Sequence, residues 1–254
     1  MRMKAEARYP LDEREIALLI DGVLKTDAIL LGAGMVLSVL VAGLSTGDWT
    51  ETVVQFGWAA RLSASFAPHP AMVALPAVFL GASLAVHGIA WPRSTRYRSI
   101  VVRIRQGVSG EVPRIPLARL APVLVLAAFA EELFFRYGAY GLLATLFMTV
   151  APAPAWAQAA ALAISSFAFM LIHAQYEDAW TRASVFTLAL ALGVTFIATG
   201  SLLACTVAHA LYNLGDVVIE RRRMVAEDDY FQGKVPTRAM EALVEEALRR
   251  AHKK

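Results

Sequence analysis

The chain has 254 residues, of which 57% are hydrophobic and 18% are charged, and its formal net charge is +3. The charged residues are gathered in blocks between long apolar runs, a pattern that is typical of a polytopic membrane protein and excludes an ordinary soluble domain. The basic residues flank the apolar runs, where they orient helices and meet anionic lipid, so membrane lipid is an expected partner and nucleic acid is not. The single cysteine excludes an intrachain disulfide.

The first 27 residues are mostly polar, with apolar side chains at helical spacing in their second half. We predict that 1–27 is a cytoplasmic segment with an amphipathic helix, and that the first membrane span covers 28–45. The stretch 46–70 contains aromatic residues but only one cation, Arg61, which is typical of an interfacial helix and loop on the outer side. The second span is predicted over 71–91.

The segment 92–119 contains seven arginines and one acidic residue, which places it in the cytoplasm by the positive-inside rule. The apolar run 120–150 would be ~46 Å long as one helix. Because a bilayer core is ~30 Å thick, we predict either one tilted span or a helix broken near one of its glycines. Three further spans are predicted over 155–174, 183–199 and 202–219.

Six spans return the C-terminus to the side of the N-terminus. The predicted fold is therefore an all-α, polytopic helix bundle with a membrane domain over 28–219 and a cytoplasmic tail over 220–254. The tail is basic and shows apolar residues at helical spacing over 236–252, which predicts a surface helix. The predicted outer loops contain one cation between them, which agrees with both termini in the cytoplasm.

Three charged residues interrupt the apolar run 120–150. Each charge held in a bilayer costs ~2.5–3.5 kcal/mol on insertion scales, so such residues pair, face a wet cavity or perform chemistry. Glu132 and Arg136 are four residues apart and can pair on one helix face. Glu131 lies about 100° away around the helix and is not explained by that pair. The alternative is structural: a buried pair that fixes helix packing, with Glu131 reaching water.

Other polar side chains lie in the later spans. His173 closes the span 155–174, and His209 and Asn213 are four residues apart on the last span. Counted from the cytoplasmic border, Glu131 is ~16 Å deep and His209 ~18 Å deep, so the two can lie at similar depth. A carboxylate beside imidazoles in a low-dielectric site is suited to activating water, and imidazole and carboxamide donors are suited to binding an oxyanion. The structural alternative is that these groups join helices by hydrogen bonds.

Three ordered motifs on separate spans carry a family resemblance. They are Glu-Glu-x-x-x-Arg over 131–136, Phe-x-x-x-His over 169–173 and His-x-x-x-Asn over 209–213. The set resembles the CPBP intramembrane protease family, which includes CAAX-processing prenyl protease 2 and the bacterial Abi-type proteins. The resemblance covers about 120–219, the expected catalytic core. It implies a hydrolase that acts on a peptide or protein substrate, which can be lipid-modified or membrane-associated.

The resemblance also implies roles for the motif residues. Glu131 with His173 would activate the hydrolytic water in a cavity open to the cytoplasm. His209 and Asn213 would form the oxyanion site. The remaining motif residues, Glu132 and Arg136, would hold these groups in place.

The resemblance favours a glutamate mechanism without a cofactor. The family is often called a metalloprotease, but the sequence has no His-Glu-x-x-His motif, so we expect no zinc. The sequence departs from the family pattern at Tyr137, which stands between the motif arginine and Gly138, whereas glycine usually follows that arginine.

Three alternatives use the same residues differently. A proton-coupled transporter could use the intramembrane charges, but they gather near one face without a polar path to the outer side. A non-catalytic membrane scaffold or immunity protein could retain the motifs. Cys205, four residues before His209, could form a cysteine–histidine nucleophile pair, although cysteine is a common small residue in apolar helices.

Overall fold

The computed structural model describes residues 11, 13–55, 57–106, 110–150, 154–173 and 179–226. This part of the chain contains helices and no strand, which confirms the all-α prediction. Its α-helices are α1 (Glu13–Thr46), α2 (Gly57–Ala64), α3 (Ala71–Arg93), α4 (Thr95–Gln106), α5 (Leu117–Glu132), α6 (Gly141–Val150), α7 (Pro154–Ile172), α8 (Ala179–Thr199) and α9 (Leu202–Ala226). The predicted tail helix over 236–252 lies outside the described residues.

Five of these helices are long and apolar enough to cross a membrane, counted over the described ranges: α1, α3, α7, α8 and α9. Large apolar side chains on them are exposed, for example Ile29 at 72% and Val78 at 66%, as a lipid-facing surface requires. The predicted span over 120–150 corresponds to α5, a π-helical segment over Leu133–Tyr140 and α6, which follow one another directly. The structure therefore confirms a polytopic helical bundle in which the run 120–150 is one continuous helical stretch.

Helix α1 is longer than the predicted first span. The sequence separated a surface segment ending at residue 27 from a span beginning at residue 28, whereas α1 continues through both. No proline interrupts the helix, so its hydrogen-bond ladder continues across the change from polar to apolar sequence. The helix ends before Gly47, whose φ of 70° is the left-handed conformation that glycine adopts most easily. The Gly47 N–H closes the helix by donating to the carbonyl of Gly43.

Two compact units are distinguished along the chain. One comprises Met1–Val23, Gly81–Val123 and Asn213–Lys254, and the other comprises Leu24–Leu80 and Leu124–Tyr212.

The first unit is held by arginines that find defined acceptors. Arg221 donates to the carbonyl oxygens of Pro113 at 2.7 Å and Ile115 at 2.5 Å, which ties the end of α9 to the segment before α5. Arg105 is 1% exposed and pairs with Glu220 at 2.5 Å. Arg105 of the predicted cytoplasmic loop and Arg221 of the predicted tail therefore also fix helix ends.

The second unit has two apolar clusters. One joins Leu30 of α1, Ala130 of α5, Phe135 of the π segment, Phe169 of α7 and Ala189 of α8. The other joins residues of α8 and α9, with Leu188, Leu192, Cys205 and Ala208 buried at its centre. These clusters bring the helices that carry the three motifs against one another.

Candidate active site

The centre of the site is a fully buried chain of charges from α5, the π segment and α9. Arg136 Nε lies 3.1 Å from Oε2 of Glu132, and both side chains are 0% exposed. The other carboxylate oxygen of Glu132 lies 2.9 Å from Nδ1 of His209. Because a carboxylate only accepts, the imidazole donates through its Nδ1–H. The ion pair predicted from the four-residue spacing is present, and it also orients the histidine of the third motif.

Glu131 occupies the edge of this chain. Its side chain is 16% exposed, and its Oε2 lies 3.8 Å from Nε2 of His209, which is beyond hydrogen-bond distance. Polar atoms at such a separation are commonly joined by a water molecule that bonds to both. The structure thus brings Glu131 and His209 together, as the similar depths predicted, while Glu132 takes the opposite nitrogen of the same ring.

Phe169 is packed among three polar motif residues. Its ring stacks on His173 with centroids 4.6 Å apart and lies 5.8 Å from the ring of His209. The guanidinium carbon of Arg136 stands 5.0 Å from its centroid, a cation–π distance. Phe169 is 1% exposed, so its ring fixes the separation of the two imidazoles.

His173 stands just beyond the last residue of α7 and is half-buried. Its Nδ1 lies 2.8 Å from the backbone oxygen of Phe169. A carbonyl oxygen only accepts, so Nδ1 carries the proton, and in the neutral ring Nε2 carries the lone pair. The helix end therefore selects the tautomer of this histidine.

Asn213 lies four residues after His209 on α9 and is half-buried. The spacing places both side chains on one face of that helix. The structure thus brings Glu131, Glu132, Arg136 and His209 into direct proximity and joins His173 to them through Phe169. Asn213 belongs to the other of the two compact units, so its placement in this site stays a prediction.

Several buried donors and acceptors in this part of the molecule have no protein hydrogen-bond partner among the described residues. They include Nε, Nη1 and Nη2 of Arg136, the hydroxyl of Ser166 and the hydroxyl of Thr206. Ser166 and Thr206 precede Phe169 and His209 by three residues, so each lies one helical turn from a site residue on the same face. Buried groups of this kind are satisfied by internal water or by a ligand, so the site is polar beyond the motif residues.

The π-helical segment begins immediately after the two acidic residues. π-helical turns interrupt α-helices mainly at functional sites, where they turn side chains away from their α-helical directions. This segment contains Arg136 and the additional Tyr137, and its glycine, Gly138, lies against α1. An added Cβ on Gly138 would stand 2.8 Å from Cβ of Leu37, so glycine is required for this close approach.

Carboxylates and imidazoles can also serve as metal ligands. Within the described ranges, no group of three or more histidine, cysteine, aspartate or glutamate side chains could hold a metal ion. His209 lies between the carboxylates of Glu131 and Glu132, and His173 bonds a backbone oxygen, an arrangement that is suited to holding or passing a proton.

Comparison with known families agrees with this set of motifs. Residues 113–215 match a family model described as type II CAAX prenyl endopeptidase Rce1-like. This segment is similar to the Rce1-like endopeptidases. The match covers about two-fifths of the chain, includes all three motifs, and confirms the predicted resemblance to the CPBP family. Comparison with curated proteins and with solved structures found no match.

At the level of the family, the Rce1-like match supports a CAAX-type intramembrane protease, and hence a hydrolase with a peptide or protein substrate. Together with the apolar helices, it supports an integral, multi-pass membrane protein in contact with lipid.

Two residues near the site were not among the predicted site residues. Phe169 was recognised only as part of a motif, because the sequence alone does not show that three polar groups meet its ring. Asp27 was assigned to the end of a surface segment, yet it is 2% exposed and close enough to Glu131 for their charges to interact. The sequence did contain one indication of this position, because Asp27 directly precedes the apolar stretch 28–45.

Proposed function

We propose that the chain is an intramembrane endopeptidase in which Glu131 and His173 activate a water molecule and His209 and Asn213 stabilise the oxyanion. The observation that carries this proposal is the position of Glu131. Its carboxylate faces Nε2 of His209 at 3.8 Å, beside a buried ion pair that holds the imidazole by its other nitrogen. The family match supports the same reaction class.

Each group has a defined part in the hydrolysis. The Glu131 carboxylate takes a proton from water while the water oxygen forms a bond to the carbonyl carbon of the substrate. His173, protonated at Nδ1, accepts the second O–H of that water at Nε2 and so orients it. The peptide C–N bond then breaks, and the leaving nitrogen takes the proton from Glu131. The hydroxyl of the water stays on the carbonyl carbon, its other proton ends on the amine, and the enzyme returns to its starting state.

The oxyanion formed during attack needs donors that are already in place. His209 donates through Nε2 in its doubly protonated form, because its Nδ1–H is held by Glu132. Asn213, on the same face of α9, supplies a neutral carboxamide N–H. Removing one such donor in an enzyme typically costs a factor of about 10²–10³ in kcat.

The role of Glu132 and Arg136 is to hold the other groups. Both are completely buried, so we assign them no direct contact with the reacting atoms. We further propose that the site opens to the cytoplasm and that the substrate is membrane-associated, in agreement with the prenyl endopeptidase description of the matching family.

The decisive experiment replaces Glu131 by glutamine, which keeps the shape of the side chain but removes the base. We expect Glu131→Gln to lower cleavage of a farnesylated peptide ending in a CAAX sequence by at least about 100-fold, measured with purified protein in detergent. Glu51→Gln, at a partly exposed ion pair with Arg61, is the matched control and should retain activity. An unprenylated peptide of the same sequence tests whether the lipid is required.

The same pair of variants can be used without a chosen substrate. Comparative analysis of protein termini in membranes from cells carrying wild-type or Glu131→Gln protein should show termini that appear only with the wild type. Wild-type cleavage rates in Glu131→Gln would overturn the proposal. Full biological complementation by that variant, with no cleavage by either form, would favour a non-catalytic scaffold.

A further inference from the structure

Helix α1 carries a buried acid that none of the three motifs includes. Asp27 is 2% exposed, and its Oδ2 is buried with no hydrogen-bond partner among the described residues. A buried carboxylate without a compensating bond is costly unless it is neutral or shares a proton. The charge that acts on Asp27 is that of Glu131, which is a like charge.

The packing of α1 independently places Asp27 beside Glu131. An added Cβ on Gly34 would lie 3.0 Å from Cγ of Leu133, and one on Gly141 would lie 3.3 Å from Cγ2 of Val41. With the approach of Leu37 to Gly138, these contacts show that residues of α1 meet residues about 100 positions later, in parallel register. These contacts join residues that are 99 to 101 positions apart, so Asp27, about two turns before Gly34, lies level with 126–128, about one turn before Glu131.

Glu131, like Asp27, has a carboxylate oxygen that is buried without a hydrogen bond. Its Oε2 is buried without a hydrogen bond, although its side chain as a whole is partly exposed. The two carboxyl groups thus lie about one turn apart on adjacent helices, and each has a buried oxygen without a hydrogen-bond partner among the described residues. Two carboxylates so placed are commonly stabilised by holding one proton between them and then titrate as a unit.

The charges around Glu131 balance when the two carboxylates share one proton. On its own helical stretch, Glu132 is balanced by Arg136. Glu131 is faced from α9 by His209, and α1, which carries Asp27, packs against the same helical stretch. His173, at the end of α7, is joined to this group only through Phe169, whose ring contacts both histidines. With His209 charged, two carboxylates remain against one cation, and one shared proton makes the group neutral.

We propose that Asp27 is a positioning residue of the site, which shares a proton with the Glu131 carboxyl and holds that carboxyl toward the hydrolytic water. This inference rests on the proposed function. Asp27 acts through Glu131 and does not touch the substrate. Glu131 serves as a base once the shared proton resides on Asp27. The pair thereby sets the lowest pH at which the protease works.

The test is the pH dependence of cleavage of the farnesylated peptide. In Asp27→Asn, the Glu131 carboxylate loses the shared proton that stabilises its charge, so it is protonated at a higher pH and the acidic limb of kcat/KM should move to higher pH by about one unit. We expect kcat to fall several-fold while KM changes less than two-fold. Asp27→Glu, which keeps a carboxyl group, should restore the wild-type limb. Asp21→Asn, an exposed acid on the same helix, should leave the profile unchanged.

A second measurement does not depend on activity. In the infrared spectrum, the carbonyl-stretch band of protonated carboxyl groups should titrate in the wild type, and both Asp27→Asn and Glu131→Gln should remove or shift the same band. If Asp27→Asn does not fold, the carboxyl band can still be compared between the wild type and Glu131→Gln.

The outcomes separate the two proposals. An unchanged acidic limb in folded Asp27→Asn, or a carboxyl band unaffected by Glu131→Gln, overturns the shared proton while leaving the protease proposal intact. If both substitutions change the same carboxyl band but the wild type cleaves no peptide, the shared proton is supported and the proposed function is overturned.

Discussion

The Glu132–Arg136 pair is completely buried, so neither charge can be rehydrated when its partner is removed. Taking two charges out of water costs several kcal/mol per ion, and their attraction with the hydrogen bond to His209 offsets this cost. The pair is therefore best understood as a device that fixes geometry. Its contribution to stability becomes visible only when it is half removed.

We expect Glu132→Gln or Arg136→Met alone to destabilise the protein by about 3–5 kcal/mol, because each leaves an uncompensated buried group. The double variant should cost clearly less than the sum of the two single changes. Thermal unfolding in detergent provides the measurement.

The partly exposed pair of Glu51 and Arg61, whose atoms are 3.8 Å apart, provides the matched control. The corresponding cycle of Glu51→Gln and Arg61→Met should give a coupling below about 1 kcal/mol, as is usual for surface pairs. Strict additivity at the buried pair would show that the two charges do not depend on each other.

At this scale, the sequence predicted contacts within one helix better than contacts between helices. The Glu132–Arg136 pair followed from a spacing of four, because helix geometry alone brings such residues together. The proximity of Glu131 and His209 required an estimate of depth from the membrane border. Asp27 was missed because its neighbour is more than 100 residues away and no local period reports such a contact.

Helix α1 and the π segment approach each other through glycines. An added Cβ at Gly34 would meet Cγ of Leu133 at 3.0 Å and the backbone nitrogen of Phe134 at 3.1 Å, and backbone cannot move aside as a flexible side chain can. Two residues earlier on the same helix, Gly32 is exposed and has nothing within 4 Å. The two glycines of one helix therefore have different structural requirements.

We expect Gly34→Ala to destabilise the protein by about 1–3 kcal/mol, the usual cost of overpacking, and to lower cleavage activity because α1 also carries Asp27. Gly32→Ala should be neutral or should stabilise by up to about 1 kcal/mol, since alanine is the better helix former. Unfolding and peptide cleavage measured on both variants would check this difference. Equal behaviour of the two variants would contradict the close packing.

The helices themselves were largely predictable, since apolar runs of about 20 residues are a direct consequence of bilayer thickness. The π segment and the full length of α1 were not predictable in this way. The π segment depends on how a helix absorbs a local crowding that hydropathy does not record, and α1 extends beyond its apolar part because nothing in the sequence breaks its hydrogen-bond ladder. Polar composition predicted where the membrane ends, which is a different boundary from the end of a helix.

For the whole molecule, orientation is the property that the arginine distribution predicts. The segment 92–119 is rich in arginine and the stretch 46–70 is not, so we propose that they face the cytoplasm and the outer side respectively. The only cysteine, Cys205, is buried, so the native chain is nearly silent to thiol reagents. This simplifies a test by cysteine labelling.

In a Cys205→Ala background, Ser99→Cys and Ser63→Cys form a matched pair, because both serines are exposed on helices and bond to the carbonyl three residues earlier. A membrane-impermeant maleimide added to intact cells should label position 63 and leave position 99 unlabelled until the membrane is opened. Labelling of both positions from one side would contradict the proposed topology.

The π-helical segment has a consequence for the ancestry of the chain. A residue inserted into an α-helix would ordinarily rotate everything after it by about 100°, whereas a π turn takes up the extra residue locally. Tyr137 is such a candidate insertion, and it follows both acids and Arg136. The two acids lie before Tyr137 and keep their faces with or without it, and the π turn would let the helix from Gly141 onward keep its face as well.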